Sequence, residues 1–185
     1  MKIEVWSDYV CPFCYIGKRR LENAIQTVGL DGQIEVIYKA YELDPNAPED
    51  SGESVVTGLA NKYQVGIDEA KQMLQNAADM AKTVGLDYNI DGMKEANTFN
   101  AHRLAKERLL QGHFMKGESI GRKDVLLNIA EEVGLDKDRV QEVLDADQFS
   151  DDVNADIREA RQLGVQGVPF FVINRKYAIS GAQPD

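Results

Sequence analysis

Cysteine is scarce in this 185-residue chain: there are two, Cys11 and Cys14, three positions apart. That count excludes a fold stapled by several disulfides, and a lone close pair in a reducing compartment is more often redox-active or metal-binding than structural. Basic residues are also in short supply, 21 against 31 acidic ones, for a formal charge of −10. A domain this acidic repels phosphate backbones and anionic lipid head groups, so neither nucleic acid nor a membrane surface is an expected partner. No run approaches the roughly 20 apolar residues that span a bilayer. The start, Met1-Lys2-Ile3-Glu4-Val5-Trp6-Ser7-Asp8, has acidic residues where a secretory signal needs an unbroken apolar stretch. The expected location is therefore the cytoplasm. Histidine is rarer than a zinc site requires: His102 and His113 lie eleven positions apart, outside recognised ligand spacings, so no metal is expected. Low-complexity segments and a repeat period are both lacking.

What is present reads as an ordinary globular domain, with 43% hydrophobic and 28% charged residues. Ile3, Val5 and Trp6 form a strand that ends at Ser7-Asp8. After Cys11-Pro12-Phe13-Cys14, the apolar positions Tyr15, Ile16, Leu21, Ile25 and Val28 recur at helical spacing up to Gly29, and Ile34–Tyr38 reads as a second strand. This opening is β-α-β, which favours parallel strands joined by a crossover helix. From Glu53 to Gln148 the pattern is helical, with candidate helices at Val55–Lys62, Ile67–Val84, Lys94–Leu110, Lys123–Val133 and Lys137–Ala146. Asp151–Leu163 is one more helix, followed by strand Phe170–Ile173, a hairpin turn at Asn174-Arg175 and strand Tyr177–Ser180. The fold class is α/β, with residues 1–48 and 150–185 forming one discontinuous domain and 49–149 an inserted all-helical domain.

Cys-x-x-Cys after a strand and at the start of a helix is the redox reading of this spacing. Unpaired N–H groups and the macrodipole at a helix N-terminus favour a thiolate, the attacking species. Cys11 is thus the candidate nucleophile. Cys14, one turn further in, is the candidate resolving thiol. Pro12 suits the first turn, where a missing N–H costs nothing, and Phe13 offers the Cys11 sulfur no proton. Val168-Pro169 precedes an apolar strand and, taken alone, reads as an ordinary trans proline.

The segments Asp8–Gly17, Asn97–Leu104 and Gly164–Phe171 together resemble the DsbA family, in particular its FrnE-like branch near the 2-hydroxychromene-2-carboxylate isomerases and kappa-class glutathione transferases. The resemblance covers nearly the whole chain. It implies a thioredoxin fold with an inserted helical domain, and dithiol–disulfide exchange at Cys11 and Cys14, with disulfide isomerisation as a related activity. In such folds a cis proline, here Pro169, faces the redox cysteine, and the residue before it, Val168, pairs with an extended peptide. Protein thiols and disulfides, or small thiols such as glutathione, are the implied partners. No bound cofactor is implied. The alternative implied by the same grouping is a glutathione-dependent isomerase or transferase, but those relatives place a single serine where Cys11 stands. The sequence departs from the branch in two places. Members carry extra residues between segments like Arg103–Lys106 and Arg108–Leu110, and they continue for a helix that is missing after Ser180–Gln183.

Pro12, Phe13, Val168, Pro169 and His102 are the candidate substrate contacts. His102, on an insertion helix, reads equally as a groove residue or as a packed or capping histidine. His113 is expected on a solvated helix end. Trp6 and Tyr38 are expected in the sheet core, and Phe170 and Phe171 on opposite faces of their strand. Met73, Met80 and Met93 are expected in helix packing, and Asp145–Asp152 as a solvated face and helix start.

Overall fold

A computed structural model describes residues 1–104 and 106–184, with backbone alone at 106–108. Four strands, β1 (Lys2–Ser7), β2 (Glu35–Ala40), β3 (Phe170–Ile173) and β4 (Tyr177–Ser180), form one sheet in the order β2-β1-β3-β4. β1 runs parallel to β2, with Val5 opposite Tyr38, and antiparallel to β3, with Val5 opposite Phe171. β3 and β4 are an antiparallel hairpin. Its turn uses Asn174 and Arg175, both at positive φ, and the Asn174 side chain accepts the Lys2 N–H at 2.8 Å. The crossover from β1 to β2 is α1 (Pro12–Thr27), closed by Gly29 at φ +68°.

β1 is central, so its side chains are buried on both faces. Ile3 and Val5 meet Phe171 together with Leu21, Val36 and Tyr38. On the other face Trp6 packs with Val172, Phe170 and Ala160, the last from α8 (Ser150–Gln162). Phe170 and Phe171 thus lie in separate clusters on opposite faces, and Trp6 and Tyr38 lie in the sheet's packing. The Trp6 indole N–H donates to the Asp156 carbonyl at 3.0 Å. Glu4, buried on the α8 face, is paired with Arg175 from the hairpin turn. This is a thioredoxin-type sheet with one helix on each face and further helices between β2 and α8.

Those further helices are α2 (Val55–Tyr63), α3 (Ile67–Lys82), α4 (Phe99–His102), α5 (Lys106–Gln111), α6 (Lys123–Glu132) and α7 (Lys137–Asp145). Their main cluster includes Leu86, Met93, Leu109, Leu110, Phe114, Ile120 and Leu126, and it takes in Tyr9, Tyr15 and Ile16 from the β1–α1 segment. The two halves of the chain are thus joined through the residues flanking the cysteines.

Three expectations need correction. The single helix at Lys94–Leu110 does not form. Lys94 bridges to Ser54, Glu95 N–H donates to the Glu53 carbonyl (3.1 Å) and Asn97 N–H to the Pro48 carbonyl (3.0 Å), so tertiary pairing takes the backbone groups a helix would use. Helical structure starts again only at Phe99, whose N–H is accepted by the Asn97 side chain (3.0 Å). The segment where the family branch carries extra residues, 103–110, includes residue 105, which lies outside those described. His113 is not on a solvated end: it is 0% exposed within a π-helical turn, Gly112–Lys116, that buries His113 and Phe114 together. Of the three methionines only Met93 is buried, and Met73 and Met80 are exposed. Asp151 and Asp152 lie in the first turn of α8, as expected for acidic residues near a helix start. Among the described residues no helix is long and apolar enough to cross a membrane.

Candidate active site

The chain leaves the central strand at Ser7 and turns through Asp8-Tyr9-Val10, where Cys11 N–H meets the Asp8 carbonyl at 3.4 Å. Cys11 is the N-cap residue of α1, with extended backbone (φ −86°, ψ 111°), and Pro12 occupies the first helical position. The first turn of α1 carries no acidic side chain, so nothing there opposes the helix N-terminus electrostatically. Cys14 N–H donates to the Cys11 carbonyl at 3.0 Å, which closes that turn and sets the second thiol one turn in. No disulfide joins Cys11 and Cys14, and both are buried, with residue exposures of 4% and 3%. The Cys14 sulfur accepts the Asp8 N–H at 3.5 Å.

Across from Cys11 lies the segment before β3. The Cys11 thiol donates to the Val168 carbonyl at 3.3 Å, and the Val168–Pro169 peptide bond is cis. Pro169 approaches α1 closely at Gly17. A Cβ at that position would sit 2.9 Å from Pro169 Cγ and 3.3 Å from Phe171 Cζ. Both neighbours are ring atoms, and the Phe171 ring is buried, so space for a Cβ must come from a shift of α1 or of the β3 entry. Gly17→Ala would ordinarily favour the helix by about 1 kcal/mol. Here it is expected to destabilise by about 1–3 kcal/mol through overpacking and to slow disulfide exchange by displacing Pro169 from Cys11. Denaturant melts and exchange rates on the variant check both effects, and a variant more stable than the wild type would contradict the tight contact.

Two further groups tie the redox turn to the rest of the molecule. The Tyr88 hydroxyl donates to the Pro12 carbonyl at 2.7 Å, and its ring stacks on Phe114 at 4.8 Å. Burial pushes the Tyr88 phenol far up, with the nearby Cys11, Tyr15 and Cys14 adding to the effect, so the hydroxyl keeps its proton for that bond. Asp8 is buried beneath the turn. Burial alone would raise its carboxyl, but the His102 hydrogen bond and charge, the Leu43 N–H (2.7 Å) and Thr98 together hold it below the usual carboxylate range. His102 lies 3.4 Å from Asp8 Oδ1 through Nε2, 3.0 Å from the Tyr41 carbonyl, and 4.6 Å ring to ring from Tyr9.

Cys11 opens onto a cavity of about 430 Å³. Val10, Pro12, Phe13, Gly167 and Val168 form the wall on the cysteine side. Val55, Leu59, Met73, Leu74, Ala77 and Met93 form the opposite wall, from α2, α3 and the segment after them. Phe13 (41% exposed), Leu43, Tyr63 and Met73 are exposed apolar groups on its lining. Of the candidate substrate contacts, Pro12, Phe13 and Val168 line this cavity, and Pro169 follows Val168 against Gly17. His102 does not: it lines a separate cleft with Tyr9, Lys39, Phe149 and Asp156, behind Asp8. Sequence reasoning did not find Asp8, Gly17 or Tyr88 as parts of the site. Asp8 could have been found as an acidic residue in the turn before Cys11. Tyr88 is 76 positions from Pro12 and carries no local signal. Among the described residues no group of three His, Cys, Asp or Glu is placed to hold a metal ion.

Comparison with known proteins adds four findings. The family model of the DSBA-like thioredoxin domain matches residues 2–184. A crystal structure of a probable DsbA oxidoreductase from Streptomyces coelicolor superposes with a TM-score of 0.92 at 37% identity, covering 100% of this chain and 85% of that one. The uncharacterized protein YwbO of Bacillus subtilis (strain 168) is 29% identical over 175 residues, 92% of this chain and 86% of its own. The same fold recurs, at 16% identity and a TM-score of 0.66, in the cytosolic disulfide reductase DsbM from Pseudomonas aeruginosa solved with GSH, over 97% of this chain and 90% of that one.

Proposed function

The chain belongs to the DsbA-like thioredoxin domain family, and from that premise we propose that it is an oxidoreductase exchanging a Cys11–Cys14 dithiol for the disulfide of a protein or small thiol substrate. In the reducing direction the Cys11 thiolate attacks one sulfur of the substrate disulfide. That S–S bond breaks, the other substrate sulfur leaves as a thiolate and is protonated by water, and a mixed disulfide joins substrate to Cys11. The Cys14 thiolate then attacks the Cys11 sulfur and expels the second substrate thiolate. The protein has lost two electrons and the substrate has gained them. Oxidation of a substrate dithiol is the same path reversed.

One observation carries this reading: Cys11 sits at the N-cap of α1, its thiol on the Val168 carbonyl and its side on an apolar cavity, with Cys14 one turn behind. Pro12, Phe13 and Val168 are the proposed substrate contacts, Pro169 a wall beside them, and His102 an indirect contributor through Asp8. Disulfide isomerisation would need only that substrate leave the mixed disulfide by internal attack. A division into residues 1–48 with 150–185 and an inserted 49–149 suits this arrangement, since the cavity lies between the two parts. The cytoplasmic location is supported by the similarity to DsbM, which is named as cytosolic. Turnover of insulin disulfides, with Cys11→Ser as the control, tests the assignment.

The GSH in the DsbM structure favours a second reading, glutathione-dependent chemistry with Cys11 holding or activating that thiol. It predicts glutathione-dependent turnover of a small organic substrate that persists in Cys14→Ala.

A further inference from the structure

The cavity beside Cys11 is apolar but not neutral. Apart from Cys11 and Tyr63, its ionisable lining is Asp44, Lys62 and Glu95, two carboxylates against one ammonium. Among the described residues none of the three is engaged in a salt bridge. Glu95 is anchored by its backbone, its N–H on the Glu53 carbonyl (3.1 Å), beside the Ser54–Lys94 bridge. Its carboxylate lies against α2 at Gly58, where a Cβ would come within 2.6 Å of Oε1. A glycine in a helix interior is costly, and here it leaves room for that carboxylate. Asp44 is exposed, and its Oδ1 accepts the Asn46 N–H at 3.0 Å in the loop after β2. Burial pushes the neighbouring Glu42 carboxyl up, His102 opposes this, and Asp8 and Asp44 push it further.

We infer that Asp44 and Glu95 determine specificity: they turn the Cys11 cavity toward neutral, apolar groups on the substrate sulfur and away from anionic thiols such as glutathione. The inference rests on the proposed exchange at Cys11. A carboxylate on the incoming disulfide would meet charge of its own sign from half-buried Glu95 and exposed Asp44, and beside the apolar walls repulsion from Glu95 is screened less than at an open surface. Lys62 can offset one of the two pocket carboxylates, and oxidised glutathione is a net dianion, with four carboxylates against two ammonium groups.

The test is the second-order rate at which the reduced protein is oxidised by neutral hydroxyethyl disulfide, anionic dithiodipropionate and oxidised glutathione. Each rate is divided by that of dithiothreitol with the same reagent, to remove intrinsic reactivity. The neutral reagent is expected to be favoured about tenfold. That ratio should fall toward one in Asp44→Asn/Glu95→Gln and shrink at high salt. Equal normalised rates in the wild type, a preference for either anionic reagent, or a ratio unmoved by the double substitution would overturn the inference and leave exchange at Cys11 standing. No reaction with any of the three would overturn both.

Discussion

Cys11→Ser lowers insulin-disulfide reduction by about a thousandfold or more, to the rate of the added reductant alone. Serine keeps the size and the N-cap role of Cys11, so the helix still starts there. What it loses is a sulfur able to become the electron-pair donor and to form an S–S bond. Cys14→Ser has a different signature. The first attack still proceeds, but nothing expels the substrate from Cys11, so a mixed disulfide accumulates one-to-one with protein and appears as a mass increment on Cys11. The pair of variants separates the two roles: loss of adduct in one, trapped adduct in the other. Turnover by Cys11→Ser comparable with wild type would remove Cys11 from the mechanism. An untrapped, fully active Cys14→Ser would remove the resolving step and favour the glutathione-dependent reading.

The second large effect concerns stability rather than chemistry. His113 is fully buried, and neither ring nitrogen has a hydrogen-bond partner among the described residues. Burial lowers its pKa from 6.5 to about 4, with the Asp8 charge opposing. In the unfolded chain the imidazole takes up a proton as pH falls below about 6.5, whereas in the folded chain it stays neutral down to about 4. Between those values the unfolded state binds more protons, so stability falls as pH falls. Each unit of separation is worth about 1.4 kcal/mol, so this one group is expected to remove about 3 kcal/mol between pH 7 and pH 4. Asp8 acts in the same direction at lower pH. Its carboxyl is held below its unfolded value, so its contribution is present at neutral pH and disappears as pH falls through the lowered value. His113→Leu is expected to flatten the upper limb, between pH 6.5 and 4, with little loss at pH 7, because it removes a polar group that has no partner. Urea melts across that range measure it. An unchanged slope in the variant would place the pH sensitivity elsewhere.

The elements of the sheet and the redox turn are legible in sequence because their signals are local. Strand β1 announces itself through Ile3, Val5 and Trp6, α1 through its apolar spacing and Gly29, and the hairpin through Asn174-Arg175. The cysteine spacing carries the site's chemistry in the same way. What is not legible depends on partners distant in the chain. Residues 94–97 have helix-compatible composition, yet their backbone pairs with 48–54, a choice that no window of sequence contains. His113 looks like a polar residue near a helix end until the π-helical turn rotates it inward. His102 could face the groove or the protein, and the buried Asp8 decides between them. Glu95 and Gly58 make sense only as a pair, 37 positions apart.

Equilibrating the protein in redox buffers that run from dithiothreitol to glutathione disulfide, and counting alkylatable thiols by mass, bears most directly on the redox pair itself. The expected result is a single two-electron transition to a species lighter by two hydrogen atoms, in which Cys11 and Cys14 both resist alkylation. Two thiols that stay alkylatable across the whole range, or that disappear independently of each other, would contradict it.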